Sequence, residues 1–178
     1  KDSLIGLVRL AINFNNALEA EAIAKTLKSL GYRVALNLMQ AHGKTANQYS
    51  KMGKKITDWN TIEILYFADS LGNMTPDKVA MICHSLKKGW HGPLGIHTHN
   101  NKNLALINTL TAAENGVNWC DSTITGMGRG AGNASTESLL LELNLRDKHV
   151  GDATLLHESV EDFNRYKSIY NWGSNIYY

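Results

Sequence analysis

Short apolar runs of strand length alternate along this 178-residue chain with longer stretches of helical period, and the pairing recurs five times. Such alternation points to a parallel sheet, because each return to the starting end of a strand needs a crossover, usually a helix. Residues 4–12, 33–39, 64–69, 94–99 and 118–124 read as the strands, the first of them buried. Helices are expected over residues 16–30, 45–53, 58–63, 75–88, 103–115 and 135–145. In the first helix Leu18, Ala22, Ile23, Leu27 and Leu30 recur at the spacing of one face, and Gly31 stops it. In the helix opened by Thr75-Pro76-Asp77, Thr75 is placed to cap and Pro76 suits the first turn.

The count then narrows the fold. A complete (β/α)8 barrel takes about 250 residues, and this chain supplies about five units. The chain is then either a small open sheet or an α/β fold of the TIM-barrel type, incomplete because its N-terminal units are missing, and the second is the expectation.

Composition excludes several classes. The net charge of +2 is spread without a Lys/Arg run, so there is no electrostatic footprint for nucleic acid or an anionic membrane. No apolar run reaches the roughly 18 residues of a membrane span. Cys83 and Cys120 lie far apart in apolar surroundings and read as buried free thiols of a reducing compartment. With no signal pattern at the first residues, cytoplasm is the expected location.

The chemistry centres on His97-Thr98-His99-Asn100. Side chains alternate along a strand, so Gly95, His97 and His99 share one face while Ile96 and Thr98 face covering helices. Two imidazoles at i and i+2 can converge on one divalent ion, and the carboxyl ends of barrel strands are where active sites form. An isolated pair of this kind is also what two hydrogen-bonded structural histidines would look like. Context favours the site: Asn37 with Met39, Asp121 with Thr123, and Asp69-Ser70 put polar groups near the ends of other strands, where burial is costly unless something pairs them. Taken singly, Asp121 and Asn37 read as hydrogen-bonding groups that close the barrel mouth. His42 follows a strand end and could line the site; His84, His91, His149 and His157 have no partner spacing.

Residues 126–133 read Gly-Met-Gly-Arg-Gly-Ala-Gly-Asn. The spacing is not that of a dinucleotide-binding loop. Alternate glycines suit a backbone that closely approaches a ligand, with Arg129 available to an anion, although a flexible turn or a helix cap at Asn133 fits the same residues.

Together the runs His97-Thr98-His99-Asn100-Asn101, Asp121-Ser122-Thr123-Ile124 and 126–133, in this order and separation, resemble the DRE-TIM metallolyase (HMGL-like) superfamily of aldolases, lyases and acyl-CoA-dependent synthases. Residues 66–74, Tyr-Phe-Ala-Asp-Ser-Leu-Gly-Asn-Met, look most like its 4-hydroxy-2-oxovalerate aldolase branch. The resemblance covers most of residues 4–145. It implies a barrel whose divalent ion, Mn or Mg and sometimes Co or Zn, is held by His97 and His99, with Asn133 as a further ligand. It also implies Ser70 and His97 against the substrate. The implied reaction breaks or forms a carbon–carbon bond next to a 2-oxo acid through a metal-stabilised enolate, releasing pyruvate and an aldehyde in the aldolases. The family's Arg-Asp-Gly motif on the first strand, which supplies an aspartate ligand and the catalytic arginine, does not occur in this sequence, so no catalytic residue is assigned.

The glycine loop lacks the cysteine of the 3-hydroxy-3-methylglutaryl-CoA lyases, and Asn101 stands where the synthases usually carry aspartate. An acetyl-CoA-dependent Claisen synthase and a non-catalytic barrel homologue remain the alternatives. Residues 1–150 are read as the C-terminal portion of the barrel and 151–178 as the start of a helical extension. In the aldolases such an extension meets an acylating aldehyde dehydrogenase, which makes that enzyme a candidate partner beside the small 2-oxo acid. The aromatic C-terminal run would be an exposed apolar patch if left bare, so it should cover another element or subunit, and a homo-oligomer is expected.

Overall fold

The computed structural model describes residues 3–146 and 151–174. Five strands, β1 (Leu7–Asn13), β2 (Arg33–Met39), β3 (Ile64–Asp69), β4 (Leu94–Thr98) and β5 (Trp119–Cys120), form one sheet in the order of the chain. Every neighbouring pair is parallel. A doubly wound sheet reverses direction at a switch point. Sequential order has no such point, and it sends every crossover helix to the same side.

Those helices are α1 (Glu21–Ser29), α2 (Ala46–Asp58), α3 (Pro76–Lys87), α4 (Ala105–Glu114) and α5 (Thr136–Leu145), with α6 (His157–Tyr170) beyond them. The outer face of the sheet and the helices make the main core: Leu36, Leu38, Leu65, Phe67, Leu94 and Ile96 meet Ile56, Val79, Ile82 and Leu86. Each such burial contributes about 1.5–3 kcal/mol, so stability resides on this side. The inner face holds a small apolar cluster, Ala35, Ile64 and Tyr66 with Leu7 against it, beside the polar Arg9, Asn37 and His97.

The sheet is curled. Laid flat, β1 and β5 would be four strand spacings apart, roughly 19 Å, further than an arginine and an aspartate can reach together. Yet the guanidinium of Arg9 on β1 bonds the carboxylate of Asp121 just after β5 at 2.7 Å. Five parallel strands bent around their polar face, with helices on the outside, form an arc of a β/α barrel.

Several expectations are corrected. The first strand is an edge, alternately half-buried and exposed rather than buried. Residues 14–20 form a 3-10 turn before α1, and the face against the sheet is Ala17, Ala20 and Ala24, while Leu18, Ile23 and Leu30 are exposed. Small side chains let this segment lie close to the sheet, so the larger residues point outward. The two short helices expected over residues 45–63 are one, α2, opened by a capping box in which Thr45 and Gln48 bond each other's backbone amides. Thr75 precedes α3 as expected but makes no side-chain cap bond. The fifth strand ends at Cys120, and Asp121 and Thr123 stand on the loop after it.

Candidate functional site

Alternation along β4 buries Leu94, Ile96 and Thr98 on the helix side and turns His97 inward. His99 lies one residue past the strand, fixed by its own N–H donating to the Asp69 carbonyl and by an antiparallel bridge to Asn133. The two rings stand edge-on with centroids 5.1 Å apart. Burial, then the neighbouring His97 and Arg129, hold His99 below the ordinary imidazole range, which favours the neutral form that ligates metals.

Behind His97 lies a chain of contacts that the local sequence does not announce. Its Nδ1 is 2.9 Å from Oδ2 of Asp121, and Arg9 Nη1 donates to both oxygens of that carboxylate at 2.7 and 2.8 Å. Burial pushes the Asp121 carboxyl up, but the His97 hydrogen bond and the Arg9 charge outweigh it, and the net shift is downward. An ionised carboxylate only accepts, so Nδ1 carries the proton and Nε2 of a neutral ring keeps its lone pair. The Arg9 guanidinium in turn sits 4.7 Å above the centroid of the Tyr66 ring. That ring occupies the space beside Gly95, where a Cβ would lie 2.3 Å from it.

The glycine-rich loop closes the site from the β5 side. Asn133 Nδ2 donates to the Met127 carbonyl, while its Oδ1 is buried with no hydrogen-bond partner. A Cβ at Gly128 would strike the Asn133 amide at 2.5 Å, and one at Gly132 (φ +81°) would meet the Gly126 carbonyl at 2.2 Å. At Gly128 and Gly132 the close approach of glycine backbone is to the loop itself, while Gly130 borders the recess of His99. The loop folds tightly around Asn133.

Two recesses open here. One of about 370 Å³ is lined by Arg9, His97, Asp121, Thr123 and Asn133 among others, and one of about 170 Å³ by Ser70, His99, Asn101 and Arg129. Ser70 thus shares a recess with His99 rather than with His97, and its Oγ accepts from the Gln40 N–H at 2.8 Å. Asp69 does not enter the site: its carboxylate accepts from the Asn73 and Met74 amides and caps that turn. His42 lines a separate cavity, His84, His91 and His157 are exposed, and His149 lies outside the described residues.

The donor set fits a divalent ion in part. Two adjacent imidazoles, one oriented by a carboxylate, and an unsatisfied amide oxygen beside His97 are groups a borderline metal accepts. Among the described residues no three His, Cys, Asp or Glu side chains gather into a metal-holding group. Sequence reasoning missed Arg9 altogether; its only signal was a charged residue at an inward position of an apolar strand.

A curled parallel sheet with paired histidines at the carboxyl end of its fourth strand places the chain among the TIM-type β/α barrel proteins. Residues 9–163 match the family described as HMGL-like, and the chain belongs to that family. It is 34% identical over 143 residues to the 4-hydroxy-2-oxovalerate aldolase of Brevibacillus brevis, covering 79% of this chain and 41% of that protein. The chain thus spans about two fifths of the length of the curated relatives it matches. Among solved structures, the N-terminal domain of a candidate aldolase from Bacteroides vulgatus superposes with a TM-score of 0.89 at 35% identity, over 97% of this chain and 57% of that one. The HMG-CoA lyase of Brucella melitensis superposes at 0.75 with 16% identity, over 91% of this chain and 66% of that one, a likeness of fold.

Proposed function

We propose that this chain is part of a divalent-metal-dependent carbon–carbon lyase of the aldolase type, acting on a 4-hydroxy-2-oxo acid and releasing pyruvate and an aldehyde. The observation that carries the reading is the adjacent His97 and His99 pair, with His97 oriented by Asp121 in a family whose similar members are named aldolases.

His97 and His99 would hold the ion through neutral ring nitrogens, with Asn133, which lines the His97 recess and has an unsatisfied Oδ1, as a third, oxygen donor. The metal, Mn or Mg with Co or Zn as substitutes, would supply Lewis acidity toward the keto and carboxylate oxygens of the substrate. Asp121 fixes the tautomer of His97, and Arg9 keeps that carboxylate ionised. Ser70 and His97 lie on the walls of the two recesses, where they would position the 2-oxo acid, and Arg129 offers a cation beside His99.

Residues 1–150 would then be the C-terminal portion of the barrel, and 151–178 the start of a helical extension, consistent with α6 standing after the last β/α unit. An acylating aldehyde dehydrogenase is the partner such an extension would meet, and assembly as a homo-oligomer goes with it.

Mn2+ binding followed by electron paramagnetic resonance tests the centre: His97→Ala and His99→Ala should each abolish it, and binding indifferent to both would overturn the reading. Turnover of 4-hydroxy-2-oxovalerate, read as pyruvate by a coupled dehydrogenase, tests the reaction. Release of CoA from acetyl-CoA and a 2-oxo acid would point instead to a Claisen synthase.

A further inference from the structure

A separate cavity lies on the rim of the sheet, outside the two recesses of the histidine pair, where the loops after β2, β3 and β4 meet the start of α3 and the top of α2. It measures about 270 Å³, near the lower end of the roughly 300–1,000 Å³ usual for small-molecule sites. Lys44, Lys78 and Lys102 all line it, each brought by a different crossover, so three charges remote in sequence meet at one opening. None of the three is ion-paired among the described residues. The neighbouring acid Asp77 is not part of the lining.

The Asp69 carboxylate behind this wall is taken up by the Asn73 and Met74 amides, and like charges gathered at one opening repel, which a fold tolerates where a ligand of opposite sign neutralises them. The Lys44 ammonium lies 5.7 Å from the centroid of the Phe14 ring. His42, on the same wall, has a buried Nδ1 with no hydrogen-bond partner. The lining also has an apolar side: Met81 is only partly buried there, backed by the fully buried Met74 and Ile82 of the main core.

We propose that this cavity binds a small organic anion whose phosphate or carboxylate head is held by Lys44, Lys78 and Lys102, with a short apolar tail against Met81. The site stands independently of the lyase reading, since none of its residues belongs to the recesses of His97 and His99.

The test uses the 178-residue chain, with backbone amide shifts read by NMR during titration with n-butyl phosphate, n-pentanoate, inorganic phosphate and, at matched ionic strength, sodium chloride. Saturable shifts confined to Gly43, Asn73, Lys78, Lys102 and their neighbours are expected, tighter for butyl phosphate than for inorganic phosphate. Whether butyl phosphate or pentanoate binds more tightly identifies the head group. Lys78→Gln/Lys102→Gln should weaken binding about tenfold, given the loss of two charge-assisted but solvent-screened bonds. Lys78→Arg/Lys102→Arg should restore it, and Lys102→Gln alone serves if the double variant is destabilised. Shifts that rise linearly, that chloride reproduces, that centre on His99 and Arg129, or that survive the Gln substitutions would each overturn the proposal.

Discussion

Arg9 and Asp121 lie 112 residues apart and are bonded across the inner face of the sheet, guanidinium to carboxylate. This link bridges the two edge strands of the arc, and Asp121 uses the same carboxylate to receive the Nδ1 proton of His97. One ion pair thus joins sheet curvature to ring orientation.

Asp121→Asn should leave the fold intact, because the side chain keeps its size at the end of an edge strand. It removes the anionic acceptor that fixes His97. Affinity for Co2+, read from its visible absorption, is expected to fall about 10- to 100-fold, and an unchanged affinity would rule out the orienting role.

Gly95→Ala would place a methyl group 2.3 Å from the Tyr66 ring, which cannot retreat without leaving the Arg9 guanidinium. A loss of about 1–3 kcal/mol in urea unfolding is expected from such overpacking. Removing the ring in Gly95→Ala/Tyr66→Leu should recover part of it.

Thr125 stands at φ +53°, a left-handed conformation that a β-branched residue rarely adopts. Its N–H donates to Glu137, its carbonyl accepts from Trp172 Nε1, and its own Oγ1 is buried without a partner. Thr125→Gly keeps both backbone bonds and relieves the strain. Stability should rise by about 0.5–1 kcal/mol, the strain less the added entropy of glycine, where an unstrained threonine would lose stability on the same change.

Burial pushes the Cys83 thiol up to about 12 and that of Cys120 up to about 11. Unfolded thiols titrate near pH 8.5, so over the alkaline range the unfolded chain releases protons that the folded one retains. Their contribution to stability is whole below about pH 8.5 and declines as pH rises toward about 11–12. Burial raises Tyr49 and Tyr66 as well, with the same sign. Urea midpoints measured across this range should fall, and fall less in Cys83→Ala/Cys120→Ala relative to its own value at neutral pH.

The histidine pair was legible because a strand has a period of two: wherever residues 94–99 ran, His97 had to face away from Ile96 and Thr98. The β/α alternation likewise required parallel strands, and β3 ran over the expected residues 64–69. Helical spacing was a weaker guide. The alanines of α1 face the sheet although the leucines shared the better stripe, because closeness to the sheet favoured small side chains.

What a side chain meets across the sheet is not written in its own neighbourhood. Period fixed that Arg9 points inward; only the curl of five strands put Asp121 within its reach. Ser70 likewise came to lie with His99 because β3 and β4 are paired in a register that sequence spacing leaves open. Trp172, in the expected aromatic run, covers the glycine loop through its bond to the Thr125 carbonyl, while Ile176, Tyr177 and Tyr178 lie outside the described residues. Local spacing determines which face a residue occupies, because it follows from backbone geometry. The distance between faces is set by the packing of the whole sheet, and that is where Arg9, Asp121 and His97 became one network.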